Sequence, residues 1–156
     1  MAAPSVLLSD VLGTERATTI FAGFTRDVDS VSQRLDSKRE NSTVLAPSNS
    51  ALHDLPHKPW EDPAEYSQMG AEAYQGQAGE DRAARNLRRF TEAHIVPVSP
   101  WIEGEKVKTL GGKELWWESN QEDKTIIQPV NLEVEKIISR VANGEVWMVN
   151  GVLSLS

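Results

Sequence analysis

The feature that most constrains the fold is a change of hydrophobic period near His94. Before this residue, apolar side chains recur at helical spacing from Val11 to Leu35 and again from Ala83 to Phe90. After it, short apolar runs rich in Val, Ile and Trp are separated by turn residues, as in β-strands. The pattern predicts an α+β fold with helices first and a meandering antiparallel sheet second.

Two dipeptides predict where the sheet reverses direction. Asn143-Gly144 lies between apolar runs and is the strongest short signal for a hairpin, because both residues of such a turn adopt φ above zero. Gly111-Gly112 predicts a second two-residue hairpin. The strands predicted in this half of the chain are 94–97, 106–110, 113–117, 125–130, 134–142 and 145–153.

A buried strand is predicted inside the helical half. Residues 43–46 are a short apolar run that ends at Pro47, as expected of a strand that enters a turn. Residues 48–50 then offer capping side chains for a short helix. We expect Asn49 to be structural rather than a ligand, because a short polar side chain after a strand satisfies turn N–H groups locally.

Length and charge restrict the class of protein. The 156 residues fit one domain, which we assign to residues 5–156, and the hydrophobic (39%) and charged (25%) fractions are ordinary. A net charge of −7 disfavours nucleic acid and anionic lipid as partners, because both are bound through an excess of Lys and Arg. The absence of cysteine excludes disulfides and leaves the redox compartment open.

Residues 57–81 form what we call the acidic excursion. Positions 61–80 hold five acids and no Lys or Arg, and prolines and glycines interrupt the segment. Trp60, Tyr66 and Tyr74 are candidate partner-binding residues, because aromatic side chains on a loop held by a rigid scaffold are common anchors in interfaces. The alternative is that these aromatics only pin the excursion to the domain. The sequence leaves both readings open.

The residue patterns do not predict catalysis. His53 and His57 have the spacing of a metal-binding pair on a helix, but Pro56 interrupts that helix. The chain contains no Gly-x-Ser-x-Gly nucleophile elbow with which His94 could form a catalytic triad. The residues around Gly111-Gly112 do not match a phosphate-binding loop. We therefore expect no catalytic residue, no cofactor and no metal, and we interpret His94 as a hydrogen-bonded core or boundary residue.

Four tryptophans lie in the β half of the chain. Trp116 and Trp117 are adjacent, so in a strand they point to opposite faces of the sheet. One of them is then exposed or covered by another element, and an exposed Trp is a usual ingredient of a binding patch. Trp101 and Trp147 are expected to contribute to the core.

The order of four segments resembles the FAS1 (fasciclin-like) domain family. The matching segments are residues 43–52 with an Ala-Pro-Ser-Asn turn, 90–97 with the central His, 107–115 with a Gly-Gly hairpin, and the closing segment 143–153. Together they cover most of the chain from residue 9 to residue 153. The motif residues that this resemblance identifies as structural are Pro47, Asn49, His94, Asn143, Gly144 and Trp147.

Two positions depart from the family pattern. Ala93 stands where the family has a Tyr before the central His, and Trp147 stands where the closing signature has a His. The integrin-binding segment of animal members is therefore not carried over. Residues 58–61 (Lys-Pro-Trp-Glu) resemble fungal members of the secretory pathway and vacuole.

The resemblance implies a wedge-shaped β-sandwich with a helical side, no cofactor, and an adhesive or scaffolding role at the cell surface or in the secretory pathway. The partner would be a protein or a cell-wall or matrix glycan, with no membrane insertion and at most weak self-association. A vacuolar-lumen protein with a trafficking or protein-handling role is the alternative, and an unrecognised hydrolase is the third. Residues 1–4 lack the regions of a signal peptide, which leaves open a cytosolic protein or a mature fragment with an added Met.

We predict one N-linked glycan, at Asn41. Asn41-Ser42-Thr43 is the only Asn-x-Ser/Thr sequence in the chain, and it precedes a strand in a polar loop that can tolerate an oligosaccharide. Mass spectrometry of protein from the native host should show a glycosidase-sensitive mass on the Asn41 peptide, and Asn41→Gln should remove it. An unmodified Asn41 in secreted protein would contradict the prediction.

Overall fold

The computed structural model describes residues 6–61 and 63–153. The α-helices are α1 (Leu8–Val11), α2 (Thr19–Asp27), α3 (Asp29–Leu35), α4 (Asn49–His53), α5 (Pro63–Met69) and α6 (Gly76–Glu92), and 3₁₀ turns lie at Arg16–Thr18 and Gly70–Tyr74. The strands are β1 (Ser42–Pro47), β2 (Ile95–Val96), β3 (Val107–Lys108), β4 (Glu114–Ser119), β5 (Thr125–Gln128), β6 (Leu132–Val141) and β7 (Gly144–Val149). The α+β prediction is confirmed.

The seven strands form one sheet in the order β2-β1-β7-β6-β5-β4-β3. Consecutive strands from β3 to β7 pair antiparallel, as the hairpin signals predicted. Strand β1 pairs antiparallel with β2 but parallel with β7, so the sheet contains one parallel pair that local turn signals did not reveal. The strand from the helical half of the sequence thus lies between two strands from the β half.

Strand β1 is buried along its whole length, which explains the consecutive apolar residues from Val44 to Ala46. Val44 and Ala46 face the helices, whereas Leu45 faces the opposite side of the sheet. The helix-side core joins β1 to the helices and to two further strands, through Leu8, Leu12, Phe21, Ala22, Val28, Val31, Leu35, Leu52, Phe90, Ile95 and Val146. This layer accounts for the apolar positions at helical spacing.

The other face of the sheet closes on itself. Its buried cluster contains Leu45 of β1 and Val96 of β2 together with Leu115 of β4 and Ile127 of β5. Strands near both ends of the strand order therefore contribute to one core. The sheet folds over in the manner of a sandwich. Among the described residues, the outward-facing side chains of β4, β5 and the start of β6 are not part of the helix-side core, whereas Ile138 and Val141 near the end of β6 pack against it.

The boundaries of the longest helix differ from the expectation. Helix α6 begins at Gly76, whereas the apolar residues at helical spacing in the sequence begin only at Ala83. Gly79 had the character of a loop residue, yet it lies buried in the first turns of the helix. A Cβ at Gly79 would collide with the main chain of Tyr74, so the glycine permits close packing of the preceding 3₁₀ turn.

The hairpin between β6 and β7 is present, but its turn is one residue earlier than predicted. Val141 pairs with Gly144, so the two loop residues are Ala142 and Asn143. Asn143 does not have a positive φ, whereas Gly144 has φ +155° within β7. A Cβ at Gly144 would collide with the carbonyl oxygen of Ser42 on β1. The glycine is therefore required by the close approach of the parallel strand rather than by a two-residue turn.

The side chain of Asn143 is buried and connects three segments. Its Oδ1 accepts a hydrogen bond from the N–H of Leu8 (2.8 Å), and its Nδ2 donates to the carbonyls of Leu35 (2.8 Å) and Ser37 (3.0 Å). These bonds tie the start of α1 and the end of α3 to the β6–β7 loop. The residue that the sequence marked as a turn former is thus a tertiary cross-link.

The second predicted hairpin also has a different turn. Residues 109–113 connect β3 and β4, and the N–H of Gly112 bonds to the carbonyl of Thr109 (2.9 Å), which centres the turn on Leu110 and Gly111. A Cβ at Gly111 would lie 3.1 Å from the Cα of Ala93. The Gly-Gly pair therefore lets the loop pack closely against the chain just after α6.

We predict that Asn143→Ala lowers the free energy of unfolding by at least about 2 kcal/mol. The change leaves up to three buried backbone groups unpaired, and each such group costs about 1–3 kcal/mol. Urea unfolding at pH 7 measures the loss. Asn150→Ala is the control, because Asn150 is exposed. A loss below about 0.5 kcal/mol in the Asn143 variant would contradict the cross-link.

Candidate functional site

The acidic excursion is held onto α6 by a polar network centred on Glu65. One carboxylate oxygen of Glu65 accepts hydrogen bonds from the hydroxyl of Tyr74 (3.0 Å) and from Nδ2 of Asn86 (2.8 Å). Its other oxygen accepts from Arg85 (3.1 Å) and lies 3.6 Å from Nε of Arg82. The network joins α5, the following 3₁₀ turn and α6.

Asn86 links the network to the start of the excursion. Its Nδ2 donates to the carbonyl of Trp60 (3.0 Å) and lies 3.2 Å from the hydroxyl oxygen of Tyr74. The hydrogen bond from Asn86 is the main reason why the pKa of Glu65 lies below its usual value, and Tyr74, Arg85 and Arg82 act in the same direction. Glu65 is therefore an ionised structural group at neutral pH.

Sequence reasoning did not find Glu65 or Asn86. The five acids of 61–80 give no sign in the sequence of which one is bonded, and the arginines of 82–89 have the spacing of a solvated helix face. The available signal was the isolated Asn86 between Ala83 and Phe90 on the inward face of α6, next to a segment of opposite charge. A buried amide needs partners, and the excursion supplies them.

The three aromatic candidates of the excursion have different settings. Trp60 and Tyr74 are half-buried, and the Tyr74 hydroxyl and the Trp60 carbonyl are both engaged by the network. The side chain of Tyr66 lies outside the part of the chain that the structure describes. For Tyr74 the geometry favours the interpretation that the side chain pins the excursion to the domain. Direct contact of Trp60, Tyr66 or Tyr74 with a partner stays a prediction.

Asn49 bonds to distant segments rather than to its own turn. The cap of α4 is Ser48, whose Oγ accepts from the N–H of Ala51 (3.2 Å). The Oδ1 of Asn49 accepts from the N–H of Ile20 (3.0 Å), and its Nδ2 donates to the carbonyl of Arg16 (2.9 Å). The expected local bonds were wrong because the backbone N–H that Asn49 satisfies belongs to Ile20 in the first turn of α2, and its amide donates to Arg16 and Thr19 just before and at the start of that helix.

His94 is fully buried at the junction of α6 and β2. Its Nδ1–H donates to the carbonyl of Phe90 (2.8 Å), and its Nε2 accepts from the N–H of Leu153 (2.9 Å). Burial lowers its pKa to about 4, although the bond to Phe90 opposes this shift. The neutral imidazole thus holds the segment after β7 against the end of α6, and neither nitrogen is open to a substrate.

The tryptophans divide between the two faces of the sheet. Trp147 stacks on Trp101 with ring centroids 5.6 Å apart and meets Trp117 edge-on at 5.9 Å. Trp116 faces outward, where Nζ of Lys106 lies 5.0 Å from its ring centroid. The Nε1–H of Trp116 donates to Glu118 (2.8 Å). Trp116 is therefore the member of the adjacent pair that is covered by a cation rather than by the core.

A polar groove of about 500 Å³ lies next to Trp116 on the outer face of β4–β6. We call it the sheet groove. Its lining residues are Glu118, Ser119, Asn120, Glu122, Lys124, Ile126, Gln128, Asn131, Leu132, Glu133 and Asn150. They come from three paired strands and from the loops at their ends, so a rigid element holds most of the site.

One cation and three carboxylates set the charge of the sheet groove. Nζ of Lys124 lies 3.2 Å from Glu133 and 3.5 Å from Glu122. The hydrogen bond with Glu133, helped by the charges of both carboxylates, raises the pKa of Lys124. Glu118 is occupied on one oxygen by Trp116. The groove therefore carries a small negative excess, and its lysine is already paired.

The remaining predicted residues have simple settings. Asn41 is exposed, with its Nδ2 3.5 Å from the carbonyl of Ser99, and Pro47 is buried at the end of β1. His53 and His57 are exposed. Within the described residues, no group of three or more His, Asp or Glu side chains is placed to share a metal ion. None of the helices in this part of the chain has both the length and the apolar character needed to cross a bilayer.

Comparison with known proteins gives relatives over nearly the whole chain, although no family model matches it. A FAS1 domain-containing protein of Neurospora crassa is 55% identical over 153 residues, which are 97% of this chain and 67% of the relative. One of Aspergillus fumigatus is 52% identical over 95% of this chain and 63% of the relative. One of Emericella nidulans is 49% identical over 94% of this chain and 61% of the relative. The chain spans about two thirds or somewhat less of these proteins.

A solved structure shares the fold. The FAS1 domain pair from the insect cell adhesion molecule Fasciclin I matches with a TM-score of 0.64 at 10% identity, over 97% of this chain and 51% of that one. This likeness confirms the predicted architecture. The relatives confirm the resemblance drawn from the sequence signatures.

We predict that His94 makes stability depend on pH between about 6.5 and 4. Its pKa is about 4 in the folded protein and 6.5 in an ordinary environment, so the unfolded chain binds more protons in this window. The His94 contribution is complete above pH 6.5 and falls by about 3 kcal/mol as the pH drops to 4. Urea unfolding across this range measures the slope.

Two variants isolate the His94 contribution. His94→Gln should be less stable at pH 7.5 and should show a shallower fall towards pH 4. His53→Gln changes an exposed histidine and should keep the wild-type slope. Equal slopes in wild type and His94→Gln would show that other groups cause the acid dependence.

Proposed function

The chain belongs to the FAS1 domain family, and we propose that it is a non-catalytic binding module for adhesion or scaffolding at the cell surface or in the secretory pathway. The observation that carries this proposal is the sheet groove, an open and polar concavity on paired strands. A pre-formed concave surface on a rigid scaffold is the usual form of a binding site. One protein that shares the fold is an insect cell adhesion molecule, which supports the same class of function.

The ionisable groups support a role without catalysis. General acid–base chemistry near neutral pH needs a group whose pKa is moved towards that pH at a reachable position. The shifts move each pKa further from neutral pH. The pKa of Glu65 is lowered and that of Lys124 is raised. The pKa of His94 is lowered as well, and its imidazole is enclosed in the core. Near neutral pH each of these groups keeps one charge state and makes a hydrogen bond or ion pair within the protein.

The partner and the compartment are part of the proposal. We propose a protein or a cell-wall or matrix glycan as partner, at the fungal cell surface or in the lumen of the secretory pathway, with the vacuolar lumen as the alternative. The fungal relatives support a fungal host, and the net charge of −7 disfavours nucleic acid as the partner. The chain spans 67% or less of the length of these relatives. A statement about the activity of a full-length protein is therefore also a proposal.

We predict that beads coated with the domain adhere to intact fungal cells. Neurospora crassa is a suitable host because its relative is 55% identical. Adhesion should saturate and should be competed by the soluble domain. Protease treatment of the cells would remove a protein partner, and wall-glycanase treatment would remove a glycan. Adhesion no greater than that of albumin-coated beads would contradict the proposal.

The same preparation tests the other parts of the proposal. Release of reducing sugar or peptide from cell walls that rises with the amount of domain would contradict a non-catalytic role. Fluorescent tagging of the full-length protein in its own host should place it at the surface or in the secretory lumen. Fluorescence in the vacuole would favour the alternative compartment. Fluorescence in the cytosol would contradict both proposed compartments.

A further inference from the structure

The sheet groove is built by outward-facing side chains in register. Glu118 pairs with Ile126, and Ile126 pairs with Glu133 across the next strand boundary. Trp116 pairs with Gln128 one step further along β4 and β5. Because Leu115, Trp117 and Ile127 face inward, these residues share the opposite face. Their positions are fixed by strand pairing rather than by loop conformation.

Unpaired amide groups line much of the groove. Within residues 6–61 and 63–153, the side chains of Gln128, Asn131 and Asn150 make no hydrogen bond. The Oδ1 of Asn120 accepts from the N–H groups of Glu122 and Lys124, which leaves its amide nitrogen available. Each free amide offers donors and acceptors together. Such groups suit a ligand that carries many hydroxyls, because a hydroxyl also donates and accepts.

The charges disfavour ionic ligands. An anion would meet Glu118, Glu122 and Glu133, and the one lysine of the groove is shared between two of these carboxylates. A cation would have to compete with Lys124 for the same oxygens. An uncharged ligand leaves both ion pairs in place and uses the remaining lone pairs of the carboxylates as acceptors.

The lining also disfavours a protein partner. Protein interfaces draw most of their energy from buried aromatic side chains and arginine. The groove contains neither, and its aliphatic lining consists of Ile126 and Leu132. Trp116 stands beside it as a partly exposed indole that is held in place by Glu118, and Lys106 lies over one face of its ring. Amides and carboxylates next to an indole match the two kinds of surface on a sugar ring, its hydroxyl edge and its C–H face.

We propose that the sheet groove binds an uncharged, hydroxyl-rich glycan chain, with Gln128, Asn131, Asn150 and Asn120 as the hydrogen-bonding residues and Trp116 as the neighbouring apolar surface. The inference rests on the proposed function, since it assigns the site and the ligand class of a binding module. A volume of about 500 Å³ lies within the range of small-ligand sites and suits a short oligosaccharide segment.

The test is a titration of the ¹⁵N-labelled protein with three uncharged hexasaccharides, of β-1,3-glucose, β-1,4-N-acetylglucosamine and α-1,6-mannose. At least one should shift amide signals within residues 116–133 and at Asn150. Gln128→Ala/Asn150→Ala should weaken its Kd at least tenfold, while Tm changes little because both amides are unpaired. The matched control, Gln33→Ala/Gln75→Ala, removes two exposed amides elsewhere and should keep the wild-type Kd.

Salt dependence provides a second readout. Raising NaCl from 0.05 to 0.5 M should change the Kd by less than twofold, because an uncharged ligand is insensitive to screening. A larger loss of affinity would indicate ionic recognition and would overturn the ligand class.

Three other outcomes would overturn the inference: no shift with any hexasaccharide at 10 mM, shifts outside the groove, or equal affinity of the groove variant and wild type. Adhesion of domain-coated beads to cells in any of these cases would leave the proposed function standing and remove only the groove. Absence of both adhesion and hexasaccharide binding would contradict both the proposed function and the proposed glycan site.

Discussion

The parallel pairing of β1 with β7 is the interaction on which the rest of the structure depends. It holds two segments about a hundred residues apart in register from Ser42–Gly144 to Pro47–Val149. The pairing places Val44 and Val146 in the helix-side core and Leu45 and Trp147 in the opposite core. Both cores therefore share the same two strands. The approach is so close at Ser42 that residue 144 has no room for a side chain.

Buried polar side chains then fix the other elements to this pair. Asn143 holds α1 and α3, Asn49 holds the start of α2, and His94 holds the segment after β7. Asn86 does the same for the acidic excursion. In the described part of the chain, no buried side-chain nitrogen or oxygen lacks a hydrogen-bond partner. Satisfied buried bonds specify one arrangement, because any other arrangement would leave a desolvated group unpaired.

These constraints leave one part of the molecule occupied by internal packing and another part open to a ligand. The helices cover one face of the sheet at β1, β2 and β7, and the sheet covers much of its other face by folding over. The acidic excursion, which its composition suggested as a recognition loop, is tied down through Glu65 and Asn86. The outer face of β4–β6 keeps the free amide of Gln128 on a strand and those of Asn120, Asn131 and Asn150 in the loops at the strand ends, which is why the proposed binding site lies there rather than on the excursion.

The sequence by itself determined the class of fold and most of its elements. Helical spacing in the first half, the buried run of β1 and the two hairpin signals are local patterns, and local patterns follow from backbone geometry and burial. The ordered signatures at 43–52, 90–97, 107–115 and 143–153 identified the family. His94 was expected in a hydrogen-bonded setting, although neither of its partners could be named.

Tertiary structure decided the roles of individual residues. Asn143-Gly144 has the sequence of a tight turn, yet the position of β1 makes Asn143 a cross-link and makes Gly144 obligatory. Asn49 follows a strand, yet it caps a helix that begins thirty residues earlier. The sheet groove combines residues 118–133 with Asn150, and no spacing in the chain predicts that combination. The physical reason is common to all three: a side chain's partner is set by which backbones are brought together, and the pairing of distant strands leaves no periodic trace in either segment.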